Sequence, residues 1–420
     1  MAEAAEAAGL VSGRRLLGIV AGLGLTQIIG YGTLYYSFSI LAAEMAADIG
    51  WSQDRVYGAF SGALLVGAFI GPRCGRWVDR HGAGRIMAWG SIASAFALAG
   101  CALASGPIGF TIGLIAIQLA SSFVLYEVAF PALVQVAGFG AQRSITHLTL
   151  IAGFASTLFW PATAALQSFL SWHEIYLAFA ALHVSVCLPI HLWLWRLARP
   201  IGATPPARDG TPSVPVDDAR IAPQDRRYAM ALTVIGFSCG GFVASAVLVH
   251  MVPMLGALGL GAGALIVGSV FGPAQVLSRF MNMVFGKDFS PIRLATVSAC
   301  LMPLAIGLLL AGAPMLAAAI GFAVIFGLGS GLNSIVRGTV PLALFGRKGY
   351  AERLGWISAV VHIVSALAPF LFAALLGRVG VTTALLLVAA VGIVAVLTFM
   401  EIGRKFGDAA SGIGTVRAVR

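Results

Sequence analysis

Glu127 stands in "LYEVAFPAL" (125–133), directly after a charge-free run from Gly106 to Tyr126. A carboxylate in such a run can take up and release a proton, or neutralise a cation. Arg337, in "SIVRGTVPLALF" (334–345), is a base in a comparable setting, and its guanidinium fork suits a carboxylate. The two share a register: Glu127 lies four residues before Pro131, and Arg337 four before Pro341. Charges at a bilayer centre cost several kcal/mol on insertion scales, so they are expected to face a polar pathway or each other. The alternative is a structural ion pair that stabilises one packing. Gln275 and Arg279 in "VFGPAQVLSR" (270–279) are four apart and share one helix face. Arg279 is read either as an anion ligand or as the end of a span snorkelling to headgroup phosphates. Tyr31 and Tyr35 have the same spacing and would present hydroxyls to a cavity, or else pack as core or interfacial aromatics. Asn333 falls on the face of Arg337, where it would orient the guanidinium or bind a solute. His362 is a candidate proton carrier, because imidazole titrates near neutrality.

These residues need a membrane scaffold. The chain has 420 residues, of which 59% are hydrophobic and 10% charged, against roughly 25% charged in soluble domains. A spanning helix needs about 20 mostly apolar residues. Twelve such segments are read: 16–42, 53–72, 85–104, 107–131, 144–168, 174–196, 227–252, 262–284, 291–311, 314–340, 351–377 and 381–401. Their apolar runs are continuous rather than alternating, which argues against a β-barrel. The fold class is therefore an all-α membrane protein of twelve helices. The net charge of +10 reports topology. With an inside N-terminus, all but three of the 26 Lys and Arg fall on one side; Arg55 and Arg378 lie on the other, and Arg337 lies within a span. Both termini are expected in the cytoplasm. No nucleic-acid partner is implied.

The polar stretch 196–227 reads as a linker. It divides the chain into 1–195 and 228–420, each with six helices. The halves resemble each other. Gly-Pro in "FIGPRCGR" (69–76) recurs 201 residues later in "VFGPAQVLSR", and Pro131 and Arg143 recur 210 residues later as Pro341 and Arg353. A duplicated fold would set Glu127 and Arg337 across its pseudo-two-fold axis.

"GRWVDRHGAGRIM" (75–87), between the second and third spans, resembles the signature loop of the major facilitator superfamily, Gly-x-x-x-Asp-Arg-x-Gly-x-x-Arg. Gly75, Asp79, Arg80, Gly82 and Arg85 match it position by position, and the second half holds no good copy. The resemblance implies two six-helix bundles, alternating access around a central site, and a cytoplasmic latch that holds the outward-open state; these five residues would be gating residues. Gly82 permits a tight turn, and Asp79 can face the positive end of a helix. Within the superfamily, "IGYGTLYYS" (29–37), "GWS" (50–52) and "FGAQRSITHLTLIAGFAS" (139–156) resemble monocarboxylate porters and oxalate–formate exchangers. Those porters carry Gly-x-x-Asp-x-x-x-Arg in helix 8. Arg279 matches the Arg, which binds the substrate carboxylate, whereas Gln275 replaces the Asp that helps couple protons. Glu127 is then the remaining carboxylate for that task.

The expectation is a secondary active transporter of a small organic anion with proton coupling. Glu127 would pair with Arg337 when empty, and its protonation would free Arg337 for the anion. The partners are the solute, a proton and the lipid bilayer, with the chain acting as a monomer in a cell inner membrane. A proton-driven efflux antiporter for drugs or a metalloid is the alternative; a non-transporting sensor and a membrane enzyme are weaker. No phosphate-binding loop or nucleophile elbow is present, so no enzyme activity and no cofactor are expected. The five cysteines are scattered and the histidines isolated, so no metal is expected either.

Overall fold

The computed structural model describes residues 13–197, 221–261, 263–286 and 289–410. The N-terminal tail 1–12, linker residues 198–220, Ala262, Lys287, Asp288 and the tail 411–420 lie outside the described residues. Among the described residues the regular structure is entirely helical. We label the long helices α1 (Arg14–Asp48), α2 (Gln53–His81), α3 (Ala83–Ala102), α4 (Gly106–Ala137), α5 (Ala141–Gln167) and α6 (Trp172–Leu197). After the linker come α7 (Arg226–Val249), α8 (Gly263–Phe285), α9 (Pro291–Gly312), α10 (Leu316–Phe345) and α11 (Tyr350–Ala410). Gly380 (φ 77°, ψ 167°) divides α11 into two helical arms. Among the described residues, ten stretches are long and apolar enough to cross a membrane. Counting α8 and the two arms of α11 separately brings the helices to the twelve read from the sequence.

The ends have local causes. Hydropathy fades after residue 72, yet α2 runs on to His81, because polar residues outside a bilayer can stay helical. It stops where Gly82 takes φ 86°. The segment 75–87, expected to be a loop, is therefore helical except at that glycine. Gly346 (φ 70°) ends α10 in the same way. Ser171 opens α6 with a capping box to Glu174, and Glu44 accepts hydrogen bonds from the Trp172 amide (2.9 Å) and Gln167 (3.0 Å).

Four helices are interrupted midway. α1 widens to a π turn over Gly32–Tyr36, and α6 over His183–Cys187. α4 breaks after Ser121 and resumes at Tyr126, and α5 breaks at Gly153 and Phe154. Such irregularities persist in a membrane only where other groups take up the released backbone polar atoms. The π turn of α1 begins at Gly32.

The chain forms two compact units. One is Met1–Asp217 with Arg347–Ala359, and the other is Asp218–Gly346 with Val360–Arg420. The first has a core in which Phe38 stacks on Phe60 at 3.9 Å and Phe110 meets Trp172 edge-on at 6.0 Å. In the second, Phe322, Phe326 and Phe372 are fully buried with Met254 and Leu255. Here α10 is held between α8 and α9 by small residues. A Cβ on Gly327 would come within 2.7 Å of Ala274 Cβ and the Phe271 carbonyl, and one on Gly331 would overlap the Gln275 carbonyl and Ser278 Oγ. On the α9 side, Ser298 donates to the Gly329 carbonyl (2.8 Å). Close backbone approach through small residues is how membrane helices pack without a hydrophobic drive. Gly331→Val is expected to cost about 1–3 kcal/mol through overpacking, read as a lower thermal midpoint of the purified protein; an unchanged midpoint would contradict this packing.

Candidate functional site

Each unit contains its own group of polar residues. In the first, Glu127 occupies the first turn of the second half of α4, just after Leu125, the residue that caps that half (φ −84°, ψ −165°). Tyrosines gather beside it. The Tyr126 ring stacks on Phe130 (4.7 Å) and lies 4.9 Å from Tyr31. Tyr31 is 6.3 Å from Tyr36, whose ring meets Trp160 edge-on at 5.8 Å. Tyr35 turns toward Tyr36 (5.4 Å) and Phe60 (5.9 Å). The shared face expected for Tyr31 and Tyr35 rests on a 3.6-residue period. The π turn adds a residue to that period and sets Tyr36 beside Tyr31 instead.

Buried amides and hydroxyls support this arrangement. Gln27, fully buried in α1, donates to the Val124 carbonyl in the α4 break (2.7 Å). Gln118, buried in α4, donates to the Leu34 carbonyl in the α1 π turn (3.1 Å). Cys74 gives its thiol proton to the Ser122 carbonyl (3.2 Å). Thr33 donates to the Ile29 carbonyl (2.8 Å) and lies 2.9 Å from His183 Nε2. Since the hydroxyl proton is used, Nε2 must be the donor to Thr33 Oγ1. His183 Nδ1 is then a bare buried acceptor, and it has no partner. Sequence reading treated His183 as an isolated histidine and passed over Gln118. Their partners lie 150 and 84 residues away, and no periodicity announces them.

In the second unit, Gln275 and Arg279 do share one face, and it points at α10. Gln275 donates to Ser330 Oγ (2.7 Å), and Arg279 Nε donates to Ser334 Oγ (3.0 Å) and toward the Gly331 carbonyl (3.5 Å). A pair four apart on α8 thus meets a serine pair four apart on α10, with the glycines of α10 between them. The residues missed here, Ser330 and Ser334, were visible as a serine repeat in "GLGSGLNS". Arg279 is only 7% exposed, so it does not snorkel to headgroups. Arg337 Nη2 lies 3.3 Å from His362 Nε2. A guanidinium only donates, so Nε2 accepts and the His362 proton is on Nδ1. Asn333 is half-buried one helical turn before Arg337.

The residues of segment 75–87 meet the start of α11, which belongs to the first unit. Asp79 accepts from the backbone N–H groups of Glu352 (2.9 Å) and Ala351 (3.3 Å), at the helix end where unsatisfied donors sit. Gly75 allows the approach: a Cβ there would overlap the Ala351 carbonyl and lie 2.7 Å from Glu352 Cα. Arg76 pairs with Glu352 at 3.5 Å. Gly82 makes the turn, Gln135 accepts from the Ala83 N–H that follows it (2.8 Å), Arg80 is exposed, and Arg85 lies over the Trp195 ring at 5.7 Å. No cluster of metal-ligating side chains occurs among the described residues.

Comparison with curated protein sequences gives no match. Solved structures share the fold. The human organic anion transporter MFSD10 (TETRAN) superposes with a TM-score of 0.70 at 12% identity, over 92% of this chain and 99% of that one. FucP, a Major Facilitator Superfamily transporter in the outward conformation, gives 0.66 at 14%, over 91% and 98%. The proton:xylose symporter XylE, bound to 6-bromo-6-deoxy-D-glucose, gives 0.67 at 11%, over 91% and 96%. At these identities the likeness concerns the fold. Residues 23–298 match the sequence profile of the Major Facilitator Superfamily, and with that match, a helical fold and the segment around Asp79, the chain belongs to the Major Facilitator Superfamily.

Proposed function

We propose that this membrane transporter moves a small organic anion, a monocarboxylate or a close analogue, by alternating access coupled to a proton. The observation that carries the anionic substrate is the setting of the two arginines. Arg279 is buried among neutral oxygens, and Arg337 has a neutral imidazole as its hydrogen-bond partner. A cation in a low-dielectric interior needs a counter-charge, and an anionic solute supplies one. Arg337 would hold the carboxylate, Asn333 and His362 would complete its hydrogen bonds, and Arg279 with Gln275 would add positive potential. One of the structural neighbours, MFSD10, is an organic anion transporter, which agrees with this reading.

Glu127 takes the coupling proton. Its carboxylate lies in the first turn of the second half of α4, within a membrane-spanning stretch. Tyr31, Tyr35 and the neighbouring aromatics would line the apolar side of the path. Gly75, Asp79, Arg80, Gly82 and Arg85 form the gate: the two hydrogen bonds from the start of α11 to Asp79 must break when it opens. Both termini face the cytoplasm of a cell with this protein in its inner membrane.

The aromatic cluster around Tyr126 and Glu127 favours a second reading, proton-driven export of an apolar or cationic compound, because ring faces attract cations. Uptake by proteoliposomes separates the two. Labelled lactate or oxalate should enter faster under an inward proton gradient, and in Glu127→Gln the gradient should no longer accelerate entry. Gradient-dependent uptake that persists in Glu127→Gln would remove Glu127 from the coupling role. Absence of any carboxylate flux, with growth protection against toxic compounds, would move the export reading ahead.

A further inference from the structure

The α1 π turn and the α4 break answer each other. A π turn leaves a backbone carbonyl without its usual helical partner, and the Leu34 carbonyl in that turn is taken by Gln118 of α4. A break likewise strands carbonyls, and Val124, the last residue but one before α4 resumes, gives its carbonyl to Gln27 of α1. Each helix thus supplies the amide that repairs the other. The orientation of Gln27 is set by chemistry: flipping the amide would place its oxygen against the Val124 carbonyl oxygen, acceptor to acceptor. In the observed orientation Gln27 Oε1 is buried without a partner. Gln27 therefore bears an unsatisfied acceptor while its N–H is used on Val124, three residues before Glu127.

We propose that Gln27 is the positioning residue for Glu127: by holding the Val124 carbonyl it fixes where the second half of α4 starts, and with it the carboxylate in that half's first turn. Gln118 plays the reciprocal part for the α1 π turn and so for Tyr31 and Tyr36. The functional side of this proposal rests on Glu127 being the group that takes the proton; the structural side does not. Without the Gln27 donor, the Val124 carbonyl is a buried acceptor with no hydrogen bond, and the segment 122–127 regains water or reforms as continuous helix. Either change rotates or shifts Glu127 relative to Tyr31 and Tyr126.

The test combines backbone hydrogen exchange with transport, on the full-length protein. In Gln27→Leu, amides of 121–129 should exchange at least tenfold faster, or become markedly slower if the helix closes, while those of α10 keep their rates. The pH midpoint of gradient-driven carboxylate uptake should move by about one unit, which a general loss of stability would not do. Gln27→Glu keeps a donor while its carboxyl is protonated, so at acid pH it should restore wild-type exchange over 121–129. Should Gln27→Leu not fold, Gln27→Glu compared at acid and neutral pH decides the matter. Wild-type exchange at 121–129 in Gln27→Leu overturns the proposal, and so does altered exchange with an unmoved pH midpoint. Glu127→Gln, assayed in parallel, isolates the coupling reading: if it retains pH dependence, that reading fails, and the exchange data alone decide whether Gln27 holds the segment.

Discussion

Arg337→Ala will abolish gradient-driven carboxylate uptake while the protein remains folded. The guanidinium is half-buried in a continuous helix, and its partner His362 is exposed, so truncation strands no buried group. What is lost is the charge-assisted hydrogen bonding to the solute, about 1.5–3 kcal/mol, or roughly ten- to hundredfold in affinity. Longer-range attraction of an anion into a low-dielectric interior adds to that. Initial rates against concentration should therefore show KM beyond reach and little residual flux. Arg337→Lys retains the charge but not the planar fork, and should fall between the two. The thermal midpoint should stay near wild type in both. Undiminished uptake by Arg337→Ala would reject Arg337 as the anion ligand.

Gly75→Val should be nearly as damaging, for a steric reason. The added Cβ meets backbone atoms of Ala351 and Glu352, which cannot swing aside as a side chain would. The end of α2 and the start of α11 must then separate. Separation lengthens the 2.9 and 3.3 Å bonds that Asp79 accepts, leaving a half-buried carboxylate and two helix-terminal N–H groups to find water. Expected are a fall in uptake of more than tenfold and a stability loss of about 1–3 kcal/mol. Asp79→Asn, which keeps the shape and weakens the acceptor, should lose uptake with a smaller change in thermal midpoint. If Gly75→Val transports normally, the gate assigned to this segment is wrong.

The helices were legible because a bilayer demands about 20 apolar residues in a row, and 291–311 and the paired spans 351–377 and 381–401 stand out for that reason. The end of α2 was not, since apolarity says nothing about where a helix stops in water; Gly82 decides it by its conformation. In the site, Gln275 and Arg279 were readable because both lie on one helix. The serines they meet needed only the same spacing rule applied to α10. Gln27 is a polar residue within an apolar stretch, but its partner is 97 residues away. Hydrogen bonds between distant segments leave no trace in a local pattern, and neither does the π turn that replaced Tyr35 by Tyr36 as the neighbour of Tyr31.

Glu127 and Arg337 stand at matching places in the two halves of the sequence, but their helices are built differently. α4 is interrupted just before Glu127, and its loose ends are tied by side chains. α10 runs unbroken through Arg337, with Gly327, Gly329 and Gly331 seated directly on the backbones of α8 and α9. A joint tied by side chains yields when a rotamer turns; a backbone pressed on backbone does not. The acid therefore sits on a compliant mount and the base on a stiff one, and an ancestor with two interchangeable halves would have lost that symmetry in mechanics as well as in charge.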